Sequence, residues 1–212
     1  MQLTIAPSSP LRGWDAPNGG APLVQVVRAT MIPAGYMAKR IATRPDWLEA
    51  DRVVDVYSVS NCVSDDFADY INYWRHNGYW LFDSPQTIQE LTKENSLDLS
   101  NTRLFYYEVH VLEYDEKERS WTPFGPHASF KTEIVQPDNR HLEGYDVVSF
   151  YAYTSPECSP LSCNSLASEV ETNEHCLLPS LETAKQLLDE GKFDNCEPGP
   201  YRIFAVYSVQ WF

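Results

Sequence analysis

An α/β or α+β fold built from two related halves is what this sequence predicts, and three observations predict it. The first is an internal likeness. Cys62 lies 18 residues before Trp80, and Cys158 lies 18 residues before Cys176. Downstream, Leu81, Ser84, Thr87 and Leu91 recur as Leu177, Ser180, Thr183 and Leu187; upstream, with a two-residue slip, Pro45, Val53, Val54 and Tyr57 recur as Pro137, Val147, Val148 and Tyr151. Sparse identities at an offset that drifts by only a few residues are what an old tandem duplication is expected to leave. The second observation is alternation. In Arg103 to Tyr114, Phe105, Tyr107, Val109 and Val111 share one face and Tyr106, Glu108 and His110 the other, the period-two pattern of a strand. Ile203, Ala205, Tyr207 and Val209 repeat it near the end of the chain. The third is a pair of helix starts, Ser84-Pro85 and Ser180, each placing a capping hydroxyl before an apolar-periodic run.

Element by element, residues 1–22 are rich in Pro, Gly and Ser and read as an extended arm. Leu23 to Met31 reads as a strand stopped by Pro33 and Gly35. The first unit, placed at residues 23–115, continues with a Val-rich strand from Arg52 to Ser60. Ser64 then caps a helix with Asp65 and Asp66 in its first turn and Phe67, Tyr70, Ile71 and Trp74 on one face. Tyr79 to Phe82 is a short strand, the Ser84-Pro85 helix buries Ile88 and Leu91, and the long strand follows. Residues 116–136 are a turn-rich connection, with Asp115 to Glu118 at a hairpin tip. The second unit, 137–212, repeats the order: a strand over Asp146 to Thr154, a helix opened by Ser159-Pro160, a short strand over His175 to Leu178, the Ser180 helix ended by Gly191, and a last strand over Tyr201 to Trp211. Each unit is thus expected to be β-α-β-α-β, the two packed about a pseudo-two-fold axis.

Composition narrows the function classes. The 212 residues, 43% of them hydrophobic, suffice for a real core, and 13 tyrosines make aromatic packing prominent in it. A formal net charge of −14 argues against a binder of nucleic-acid backbone, which needs clustered Lys and Arg. It suits either solubility or a partner with a basic surface. The start, MQLTIAPSSPLRGW, carries neither a basic segment nor an apolar one, and no run is long and apolar enough for an ordinary membrane span. Five cysteines in that context are expected to be free thiols of a cytoplasmic protein.

The two units differ most where the first strand meets the first helix. One has Asn61, Cys62, Ser64, Asp65 and Asp66; the other has Glu157, Cys158, Ser159, Cys163 and Asn164. A thiol at a helix start has its thiolate favoured by free N–H groups, which makes Cys158 and Cys163 candidate nucleophiles. A nucleophilic thiol needs a base, and His110, beside Glu108 on a strand face, is the candidate. The competing account is that these cysteines are small core residues. Zinc ligation by Cys158, Cys163, His175 and Cys176 uses allowed donors. Against it, adjacent strand residues His175 and Cys176 point to opposite faces. No Walker loop, GxGxxG or GxSxG elbow is present, so no cofactor is expected.

Three function classes follow. The leading expectation is a non-catalytic acidic binding protein, an inhibitor or immunity-type partner of a basic protein surface. The residues such a partner would meet are Trp14, Trp47, Trp121, Asp65 and Asp66, since aromatics anchor interfaces. The second is a thiol-dependent enzyme centred on Cys158 and Cys163. The third is a small-molecule binder using the cleft between the halves.

Overall fold

The computed structural model describes residues 30–66, 77–125, 133–151 and 156–210. It is a mixed α/β protein dominated by antiparallel sheet, with few helices. The strands are β1 (Met31–Arg40), β2 (Ala42–Thr43), β3 (Asp55–Val56), β4 (Asp65–Asp66), β5 (Thr102–His110), β6 (Leu112–Asp115), β7 (Ser120–Pro123), β8 (Arg140–Ser149) and β9 (Tyr201–Val209). The helices are α1 (Pro85–Asn95), the four-residue α2 (Pro160–Cys163) and α3 (Leu181–Asp189). The main sheet runs β4-β1-β5-β9-β6-β7, with β8 also paired to β9; β2 and β3 form a separate two-stranded ribbon.

Among the described residues every strand pairing is antiparallel, so the parallel crossovers implied by β-α-β-α-β units are not what this sheet uses. Helix content is correspondingly low, because antiparallel neighbours need only turns between them. The helix expected over 67–76 lies outside the described residues. Its expected first turn is instead strand: Lys39 pairs with Asp66 and Arg40 with Asp65. The Val-rich run from Arg52 keeps only two residues in a strand, and the run from Asp146 begins earlier, at Arg140, and stops at Ser149. The expected strand over Arg103 to Tyr114 breaks at Val111 into β5 and β6. The expected strand at Leu23 lies outside the described residues except at its end. Pro33 and Gly35 do not stop a strand there but sit inside β1, where the register against β5 shifts. An irregularity of this kind is where a strand tolerates a missing N–H.

Gly35 is held at φ 134°, and a Cβ there would lie 2.5 Å from the Phe82 carbonyl oxygen. The backbone comes this close because Tyr36 N–H donates to Phe82 O and Phe82 N–H to Tyr36 O, at 2.7 and 2.9 Å. A similar arrangement occurs at Gly144 in β8, with φ 150° and reciprocal bonds between Tyr145 and Leu178 of 3.0 and 2.8 Å. In each place an asparagine clamps the facing loop. Asn77 donates to Ala34 O and accepts from the N–H groups of Tyr79 and Leu81. Asn173 donates to Glu143 O and accepts from those of His175 and Leu177. Ser84 and Ser180 then cap α1 and α3 by accepting from Thr87 N and Thr183 N.

Along β9, Ile203 joins one group of buried residues and Phe204 another. Apolar matter therefore covers both sides of the strand. Tyr106 and Tyr107, on opposite faces of β5, are both fully buried. Loops with buried polar groups fill the region between β1 and β8, and they carry the site.

Candidate functional site

The site begins with a lysine. Lys39 in β1 is 1% exposed, and a buried ammonium needs oxygen around it. The chain after β3 supplies that oxygen: Nζ donates to the carbonyls of Ser58, Val59 and Ser60 at 2.9, 2.9 and 2.7 Å, and to Asn61 Oδ1 at 3.1 Å. Residues 58–60 thus turn around a cation instead of extending as a strand. That turn delivers Cys62 to the surface beside the second half of the chain.

Asp146 in β8 ties the two segments together. Its Oδ2 accepts from Val59 N–H at 2.8 Å and from the Ser159 hydroxyl at 2.6 Å. Burial pushes its carboxyl up to about 6, against the opposing pull of those donors and of Lys39. An unfolded aspartate titrates near about 3.9, so between about pH 4 and 6 the folded chain holds a proton that the unfolded chain releases. Stability from this group therefore falls as pH rises through that window, by up to about 3 kcal/mol. The native protein should lose stability relative to Asp146→Asn between pH 4 and 6.5 (both pH values approximate), read by urea midpoints; a constant difference would contradict this.

Cys158 is fixed to the edge of β8. Ser149 N–H donates to Cys158 O at 2.8 Å, and Glu157 N–H to Ser149 O at 3.0 Å. Ser159 precedes α2, and Cys163 N–H closes its turn on Ser159 O. Four residues are too few for a helix dipole of consequence, so the expected activation of Cys158 by a helix start does not apply. Side-chain neighbours act instead.

The sulfurs of Cys62, Cys158 and Cys163 all lie within 4.8 Å of one another, and all five thiols of the chain are free. Cys62 is exposed, Cys163 half-buried and Cys158 buried. S–H donation from Cys158 and Cys163 holds the Cys62 thiol below its ordinary range, and Cys158 is driven above it. Ser60 is fully buried, its hydroxyl has no other hydrogen-bond partner among the described residues, and it too favours the charged form of Cys62. By contrast, burial first and neighbouring negative charge second push Cys176 up to about 12 and Cys196 up to about 11. The three sulfurs line a cavity of about 440 Å³ whose other walls include Tyr151, Glu157 and Glu197.

The structure assembles part of the expected set and disperses the rest. Cys158 and Cys163 meet, but their companion is Cys62. His110 is 2% exposed rather than on a solvated face. Its Nδ1 is engaged with Leu112, its ring packs edge-on to Trp121, and it lines a different cavity with Lys185. No histidine lines the thiol cavity among the described residues. His175 and Cys176 do not join the sulfurs either. Cys176 takes a left-handed φ of 63° and buries its side chain in the core. His175 stacks on Tyr57 at 4.0 Å and pairs with Asp55 through Nδ1 at 2.5 Å. Trp47 is 51% exposed. Trp121 is half-covered, donates to Asp189 Oδ1 at 2.8 Å and lies under Lys185. Asp65 is exposed at the sheet edge, and Trp14 lies outside the described residues.

Cys62 is the participant that sequence reasoning passed over. Its signal was present in the sequence likeness alone, where Cys62 is the counterpart of Cys158. Comparison with protein-family models, with curated proteins and with solved structures finds no match. The chemistry of the site must therefore be read from its own geometry.

Proposed function

We propose that this protein binds a thiophilic metal ion through the thiolates of Cys62, Cys158 and Cys163. The observation that carries the reading is the convergence of three sulfurs from distant parts of the chain to within 4.8 Å at a cavity wall. A tetrahedral ion with metal–sulfur bonds of about 2.3 Å holds its sulfurs about 3.8 Å apart, a spacing reached by small side-chain rotations. Soft donors of this kind select zinc or monovalent copper over magnesium or calcium. Binding releases the thiol protons to solvent, and Ser60 then has a thiolate to which it donates. A thiol nucleophile served by a histidine is less well supported, because the cavity has no histidine wall among the described residues.

The test is zinc competition against a chromophoric chelator with the reduced, full-length protein. One equivalent should bind. Cys62→Ser, Cys158→Ser and Cys163→Ser should each weaken binding by about a hundredfold or more, beyond the 10–100-fold (roughly) lost with an outer partner. Cys176→Ala and Cys196→Ser should leave it intact. Absence of binding, or equal sensitivity to Cys196→Ser, would overturn the proposal.

A second reading, a surface for a basic protein partner, is favoured by Trp47 and Val54, which are 51% and 62% exposed. They flank Glu49 and Asp51, giving the aromatic and acidic mixture such a partner would meet. The matched clamps at Asn77 and Asn173, and the matched caps at Ser84 and Ser180, support a tandem duplication as the origin of the paired positions Cys62 and Cys158. Its shared unit would be a bulged strand, clamped loop, helix and strand, with β1 answering to β8 and β5 to β9.

A further inference from the structure

Resting on the thiophilic site above, we propose that the bound ion keeps one coordination position for a small aminothiol, which places its sulfur on the metal and its ammonium against Glu197. Structural zinc sites close with four protein donors, whereas sites with three keep a position for an outside ligand. Among the described residues, no fourth cysteine, histidine or carboxylate belongs to the group formed by Cys62, Cys158 and Cys163. What adjoins the sulfurs is the cavity of about 440 Å³, room enough for a ligand of a few heavy atoms beside water.

The charge on the walls selects the ligand. Three thiolates around a divalent ion leave a net charge of −1, and around a monovalent ion −2, so an incoming anion is repelled unless it brings its own positive end. Two carboxylates line the same cavity. Glu157 sits in the field of Arg202, whose guanidinium is stacked between Phe124 and Phe150 and bonded to Glu113. Glu197 is therefore the carboxylate left to recognise a cation. Its backbone is fixed on both sides: its N–H donates to Asn164 Oδ1 at 3.4 Å, and its carbonyl accepts from the Tyr201 hydroxyl. In the metal-free protein the Cys158 sulfur lies 3.5 Å from the same Asn164 oxygen, which places Asn164 between Glu197 and the sulfur cluster. Next to it, Ser149 Oγ donates to Pro198 O at 2.5 Å and holds the wall. In the exchange, a metal–water bond breaks, a metal–sulfur bond forms, and the thiol proton leaves to solvent; nothing is oxidised.

The experiment uses full-length protein loaded with one equivalent of cobalt(II), whose visible and charge-transfer bands report a new sulfur ligand. Cysteamine, 2-mercaptoethanol and 3-mercaptopropionate are added at equal thiolate concentration. Cysteamine should bind about tenfold more tightly than mercaptoethanol, the worth of one charge-assisted contact, and mercaptopropionate most weakly. Glu197→Gln should bring cysteamine down to the level of mercaptoethanol, and Glu197→Lys should favour mercaptopropionate. Equal affinity for the three thiols, or a preference unchanged in both Glu197 variants, overturns the aminothiol assignment. Cobalt that binds but responds to no thiol overturns it too, while leaving the metal site standing. Failure of cobalt to bind overturns both.

Discussion

Lys39→Met should destabilise the protein by about 3–5 kcal/mol, the cost of removing one partner from a buried charged network. Methionine fills the volume but donates nothing. The carbonyls of Ser58, Val59 and Ser60 and the Asn61 side chain, which all accept from Nζ at 2.7–3.1 Å, would lose that donor together. Asp146 would lose the cation that favours its charged form. Arginine should rescue little, because its planar fork cannot aim at carbonyls that converge on one point. Urea midpoints measure the effect, and zinc affinity should fall with it, since the same turn positions Cys62. A variant within about 1 kcal/mol of the native protein, a typical single-substitution effect, would show that the lysine does not organise this loop.

Gly144→Ala should cost about 3 kcal/mol or more, combining backbone strain at positive φ with overpacking. The added Cβ would lie 2.7 Å from Leu177 Cβ and 2.9 Å from Leu178 O. Neither can retreat easily, because Leu177 N–H and Leu178 N–H are bonded to Asn173 and Tyr145. Gly35→Ala should be at least as damaging, given 2.5 Å to Phe82 O. Gly125→Ala is the control, as no described residue lies within 4 Å of a Cβ there, and it should be nearly neutral. Thermal melts of the three variants check the order.

What the sequence disclosed were the features whose causes are local. Ser84 and Ser180 announce α1 and α3 because a capping hydroxyl needs only the next three residues. The turn at Asp115 is equally legible, since the Asp115 side chain accepts from Lys117 and Glu118 N–H. The alternation in β5 and β9 marked them as strands. What it could not disclose was how strands pair across a hundred residues, and so whether the sheet is parallel or antiparallel. Pro33 and Gly35 read as a stop because turn residues usually are one; only the loop clamped by Asn77 explains a bulge there. The Val-rich run ending at Ser60 has strand propensity, but the buried Lys39 ammonium takes its carbonyls. The same non-locality hid the site. Cys158 and Cys163 could be picked out by spacing, whereas Cys62 joins them only because Lys39 and Asp146 hold residues 58–60 against Ser159.

The most direct measurement is the zinc X-ray absorption spectrum of the reduced, full-length protein loaded with one equivalent of zinc. Three sulfur neighbours at about 2.3 Å together with one lighter atom, reduced to two sulfurs in Cys62→Ser, is the result this account predicts. A zinc ion surrounded only by nitrogen and oxygen, or one whose sulfur count is unchanged by Cys62→Ser, would contradict it.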